Sequence, residues 1–197
     1  NDLYKKTAIT LQIVGGLVLV GILVNIDQIY SLLPENYRGG ILVVFLIGLS
    51  KYFDLVLGNN NAIIFNSKYY RAVLFLGLFL AFFAITLNKI FIPIYGINGA
   101  AIATLISITL YSIAKLLFVI IRMKLFPFTL KNIYALLIGL LCFFCFYYWD
   151  FSFHPIINII LKSILVTLLY VGLVYKANLS GDINGVIVNV LKKIKLF

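Results

Sequence analysis

Acid is scarce in this chain. Six Asp and Glu stand against sixteen Lys and Arg, with one histidine, for a formal net charge of +10. So few acids and bases leave little to build catalysis from. No glycine loop leads into a phosphate-binding lysine, no metal ligands cluster, and no nucleophile has a base at useful spacing. The chain is therefore read as non-enzymatic and without cofactor or metal. Cysteine is nearly absent too. Cys142 and Cys145 form a CxxC pair inside an apolar run with no further ligand nearby, and are read as two buried thiols.

Charge of either sign is thin. Charged residues make up 11% of the chain and hydrophobic ones 63%, with a mean hydropathy of +1.12. A soluble domain of 197 residues could not cover its core with so little polar surface. A surplus of cations often marks a nucleic-acid binder. Here the cations fall mainly at the ends of apolar runs, which points to membrane topology and to no nucleic-acid partner. There is no initiator methionine at Asn1 and no signal-peptide pattern, so a piece of a longer protein is expected.

What the chain does have is long apolar runs. Six are predicted to be membrane helices: about 7–24, 41–65, 72–92, 97–121, 133–149 and 156–175. The second has an apolar core to Leu57 and is carried on through Asn59-Asn60-Asn61 to Phe65. Helices follow because unpaired backbone groups cannot face lipid, and these runs are too long for barrel strands. The expected fold class is all-α, a polytopic membrane bundle. Residues 1–176 form its transmembrane part and 177–197 a cytoplasmic tail.

The third and fourth runs meet at Tyr95-Gly96-Ile97-Asn98-Gly99-Ala100-Ala101-Ile102-Ala103-Thr104. Pro93 is expected to end the third helix, Gly96 to allow the reversal and Asn98 to cap the fourth. Gly99, Ala100, Ala101 and Ala103 would let the neighbouring helix approach closely. A helical hairpin is the expectation.

Orientation follows the cations. With the N-terminus inside, the inner segments carry Lys5, Lys6, Lys68, Arg71, Arg122, Lys124, Lys131, Lys176, Lys192, Lys193 and Lys195. The outer ones carry Arg38, with Lys89 near an outer helix end, and the acids Asp27, Glu35 and Asp150. Both termini are therefore expected in the cytoplasm. Tyrosines and Trp149 gather at helix ends, as interfacial rings do. Pro155 opens the sixth helix, and His154 before it is read as interfacial rather than a ligand. Past Ser180, the residues Val186, Ile187, Val190, Leu191 and Ile194 recur at helical spacing beside Lys192, Lys193 and Lys195. That pattern suits an amphipathic helix on the inner leaflet.

Charges inside the runs are the functional signal. At about 1.5 Å per residue, Lys51 lies about 15 Å from Ile41, near the middle of a ~30 Å hydrocarbon core. Lys115 and Lys162 are nearer helix ends, within reach of an interface. Asp54, three residues from Lys51, shares its face and can pair with it, and Gly58 and Asn61 continue the stripe. The fourth helix offers a second stripe of Thr104, Ser107, Tyr111 and Lys115. Two such stripes predict a hydrated cationic cavity between helices, with a purely structural Lys51–Asp54 pair as the alternative.

The segment Gly58-Asn59-Asn60-Asn61-Ala62-Ile63-Ile64-Phe65-Asn66-Ser67-Lys68-Tyr69-Tyr70-Arg71, followed by Tyr95 to Thr104, resembles the C-terminal part of polysaccharide biosynthesis proteins. These are the O-antigen-type flippases of the multidrug/oligosaccharidyl-lipid/polysaccharide exporter superfamily. The resemblance implies a bundle of 12–14 helices in two lobes working by alternating access, with this chain as its C-terminal lobe. It implies a bacterial inner-membrane location and a polyprenyl-pyrophosphate-linked glycan as substrate, for lipopolysaccharide or other polysaccharide biosynthesis. The N-terminal lobe of the same protein would be a partner. A basic cavity suits a pyrophosphate. Lys51 would meet it, Asp54 would tune Lys51 or carry a coupling proton, and Lys115 would assist. Asn61, Tyr111 and Ser107 would line the cavity. Two other readings stand beside it: a drug or cation antiporter of the superfamily, and a non-transporting scaffold of a glycan assembly complex.

Overall fold

The computed structural model describes residues 2–151 and 153–194, and Lys195 of the expected tail lies outside them. Among the described residues every regular element is helical. In order they are α1 (Asp2–Val24), α2 (Ile26–Ser31), a 3₁₀ turn (Glu35–Gly40), α3 (Ile41–Val56), α4 (Asn60–Phe65), α5 (Arg71–Met123), α6 (Leu130–Tyr147), α7 (Pro155–Lys176) and α8 (Gly181–Ile194). Four of them, α1, α5, α6 and α7, are long and apolar enough to cross a membrane. At 16 residues α3 is about 24 Å long, short of a ~30 Å hydrocarbon core.

The second helix is shorter than the sequence led one to expect. It stops at Val56, because Gly58 takes a left-handed φ of 65° where the chain crosses α1. A Cβ there would stand 2.9 Å from the Cα of Ala8, so a larger residue fits neither the backbone nor the space. The polar run Asn59-Asn60-Asn61 therefore becomes a joint, and α4 is a separate turn. Its Asn60 is buried and accepts a hydrogen bond from the Tyr4 hydroxyl of α1.

The hairpin forms with different punctuation. Helix α5 runs through Pro93 and breaks at Gly96, whose φ of 57° and ψ of −132° suit glycine alone. The proline comes so near the turn that its missing N–H costs little of the helix. Asn98 is not the cap: helical geometry resumes before it, and its buried Oδ1 has no hydrogen-bond partner. The two arms, 71–95 and 97–123, fold back on each other. Ala72, Val73 and Leu76 pack beside Phe118, Val119 and Met123, and Tyr69 sets its ring edge-on to Phe118. At the tip Gly99 is buried, and a Cβ on it would fall on the carbonyl oxygen of Phe91.

Helix α1 is the centre. It packs on α3, α6 and α7, and supplies Ile9, Ile13, Val20 and Val24 to the main core with Ala135, Cys142, Val166, Tyr170 and Val174. Polar bonds fix the register of these helices. Gln12 donates to the Asn132 carbonyl (3.0 Å) and to the Tyr52 hydroxyl (3.2 Å), and its Oε1 accepts from Asn132 Nδ2 (2.7 Å). Tyr170 donates to the Ile13 carbonyl at 3.0 Å. Only one of the expected pair of buried thiols is buried. Cys142 faces this core, while Cys145, three residues on, faces outward, and both are free. His154 is exposed at the start of α7, where its Nδ1 accepts from the Ile156 N–H.

Candidate functional site

Charged side chains inside the apolar helices gather at two places. The first lies between α3 and the second arm of α5. Lys115 is only 3% exposed at its side chain and donates to Asp54 Oδ1 at 2.7 Å. Its ammonium also lies over the Tyr111 ring, 4.3 Å from the centroid, where the π face favours a cation. Ser112 Oγ donates to the same carboxylate oxygen at 3.4 Å, and Tyr111 OH donates to Asn61 Oδ1 at 3.4 Å. Asp54, Lys115, Tyr111 and Asn61 thus form one polar group, as their stripes imply, but with different pairings.

The partner of Asp54 is Lys115, not Lys51. Lys115 lies deep on the packed face of its helix, where an ammonium without an anion would be costly, so it takes the carboxylate instead of reaching to an interface. Lys51 is exposed on α3, one turn from Asp54, and makes no hydrogen bond or ion pair with the described residues. The group lies open where a cavity was expected: the Asp54 side chain is 44% exposed and Asn61 lies at the surface. Ser107 is buried five residues before Ser112 and its hydroxyl has no partner, while Thr104 donates to its own helix at the Ala100 carbonyl. The site is an open cationic face carrying an ion pair whose lysine is buried and whose carboxylate is half exposed. Ser112 escaped the sequence reading because it lies one step off the stripe. Its spacing of three from Lys115 is the signal that could have found it.

The second place lies between α1, α7 and the connector after α6. Lys162 is 1% exposed, and donates to the Val24 carbonyl at 3.1 Å and to Asp150 Oδ1 at 2.8 Å. Gln28 of α2 donates to the same oxygen at 2.6 Å. The Lys162 hydrogen bond, foremost, holds the Asp150 carboxyl below the usual carboxylate range, with Gln28 and Asn158 adding to it. Lys162 does reach a helix end, and an anion meets it there. No periodicity ties Asp150 to Lys162, which is why the pair is invisible in the sequence.

Among the described residues, no three side chains able to ligate a metal converge. No protein-family model, no characterised protein and no solved structure matches the chain.

Proposed function

We propose that the chain is six membrane-crossing helices from the C-terminal lobe of a flippase that carries lipid-linked oligosaccharide or polysaccharide precursors across a bacterial inner membrane. The two arms of α5 are separate crossings in this reading, and α3 crosses with the bilayer thinned around it. Both chain ends lie in the cytoplasm, because the cationic segments at the starts of α1 and α6 and after α7 lie together at that end.

One observation carries the reading: Lys51 is an exposed, unpaired cation on apolar α3, five residues or about 7.5 Å from its end, beside an Asp54 already matched by Lys115. An unmatched cation on an apolar helix face is stabilised by an anion. The pyrophosphate of a polyprenyl-linked glycan would supply it, and the N-terminal lobe would close the open face into a pathway. Lys115 and Asp54 then hold the face in shape, while Lys51 meets the substrate.

The test is glycan export by the full gene product. Lys51→Ala should cut export at least tenfold, as expected when a charge-assisted contact worth about 1.5–3 kcal/mol is lost, and Lys51→Arg should keep most of it. Export unchanged in Lys51→Ala overturns the reading. The half-exposed carboxylate of Asp54 favours a second reading, a proton-coupled antiporter. In that case Asp54→Asn would abolish drug efflux and Lys51→Ala would not.

A further inference from the structure

Where α1 begins, two cavities of opposite character adjoin. The first, of about 340 Å³, is lined by Lys5 and Lys6 of α1, by Thr129 and Lys131 at the start of α6, and by Ser180 and Asp182 at the start of α8. Lys5 and Lys6 donate no hydrogen bond to the described residues, and Lys131 spends one of its protons on the Asn178 carbonyl at 3.0 Å. The second cavity, of about 440 Å³, starts at Thr10, one residue along α1 from the last α1 residue of the first. Apart from Thr10, Asp182 and the Tyr170 ring its walls are aliphatic, with Val14 and Val18 from α1, Val171 from α7, and Ile183 and Val186 from α8. Val14, Val18 and Val186 are exposed, so this groove opens sideways. Asp182 borders both cavities.

We propose that this pair of cavities is a binding site for an anionic glycerophospholipid, with its phosphate among Lys5, Lys6 and Lys131 and one acyl chain in the groove between α1, α7 and α8. The inference rests on the membrane character of the helices and not on the transport reading. Charge and order along α1 name the occupant. A cationic mouth above an apolar slot matches a phosphate above a hydrocarbon chain, and basic pockets between membrane helices favour anionic headgroups. The site also explains how the amphipathic α8 stays docked. Its protein anchors at α1 are few: Ser180 and Thr10 share a hydrogen bond of 2.9 Å, and Thr10 donates weakly to Asp182 at 3.5 Å. A lipid chain against Ile183 and Val186 would complete that contact. Asp2 and Asp182 lie in the basic cavity as well and oppose the phosphate, so the preference they leave is moderate.

The experiment is native mass spectrometry of the full chain in a neutral detergent, titrated with phosphatidylglycerol and with phosphatidylcholine of the same acyl chains. Phosphatidylglycerol should be retained about tenfold over phosphatidylcholine, and Lys5→Gln, Lys6→Gln and Lys131→Gln together should erase that preference. Asp2→Asn guards against simple misfolding, since it should raise the preference, by about fivefold, on removing a like charge. Ile183→Trp, which fills the groove, should weaken retention of both lipids. Equal retention of the two lipids by the unaltered chain overturns the proposal, as does a triple variant that keeps the preference. Soluble glycerol phosphate that displaces the lipid as well as free phosphatidylglycerol does would make this an oxyanion site only, and would overturn it too.

Discussion

Helix α1 and the first arm of α5 are alike in composition and opposite in fate. Both are long and apolar, with their charges toward the ends. Yet α1 buries Ala8, Ile9, Gln12, Ile13 and Val20 against three neighbours, while the arm 71–95 leaves Leu74, Phe75, Leu78, Phe82 and Ile85 exposed, Phe75 at 69%. In water such an arm would collapse onto something. In lipid it need not, because hydrocarbon is as apolar as leucine and burying one in the other gains little. What separates the two helices is therefore not hydrophobicity. It is close packing and polar bonding: α1 has Gln12, an acceptor for Tyr170 and small residues where neighbours cross, while beyond its partner across the Gly96 turn the arm has only the cluster of Ala72, Val73 and Leu76 around Tyr4 and Ile64.

The sharpest way to break that contrast is at the hairpin tip. Gly99→Leu would push a side chain into the Phe91 carbonyl and part the two arms at their tip. Thermal unfolding in detergent, followed by circular dichroism, should report a loss of about 3 kcal/mol. A variant as stable as the parent would mean the arms do not pack as described.

The polar tie at the end of α1 should show a smaller effect that depends on pH. Asp150 is 56% exposed, so its pair with Lys162 is partly screened. A carboxyl held below its ordinary value stabilises the fold above the unfolded value of about 4, and that contribution is lost as pH falls through the lower folded value. Unfolding temperature should therefore drop below about pH 4 by more in the parent than in Asp150→Asn. Equal acid sensitivity in both would remove Asp150 from the account.

The smallest effect belongs to the arm's outer face. Phe82→Ala should cost less than about 0.5 kcal/mol in the isolated chain, since it trades a lipid contact for another lipid contact. A large loss would show that a protein surface, not lipid, covers the arm.

Much of the architecture was legible beforehand. Apolar runs at membrane length, a glycine turn after Pro93 and cations clustered between runs are written in the order of the residues, because bilayer thickness and backbone hydrogen bonding act on composition and length alone. The pair Tyr111 and Lys115 on one face was legible too, since helical spacing puts four-step neighbours together, whereas Asn61 reaches the group from α4 across the Gly58 joint.

Only the tertiary structure decided who pairs with whom. Local spacing proposed Lys51 for Asp54. The packing of α3 on the second arm brought Lys115 within 2.7 Å instead, because the buried cation needs the anion more than the exposed one does. The same holds for the end of the second helix, where a crossing with Ala8 made Gly58 a joint, and for Cys145, turned outward three residues from the buried Cys142. Sequence by itself determined that several helices are long and apolar enough to cross a membrane, and where most of them turn. Which apolar residues meet a helix and which stay exposed, and which charges are matched, depended on contacts between residues far apart in the chain, and no local pattern encodes those.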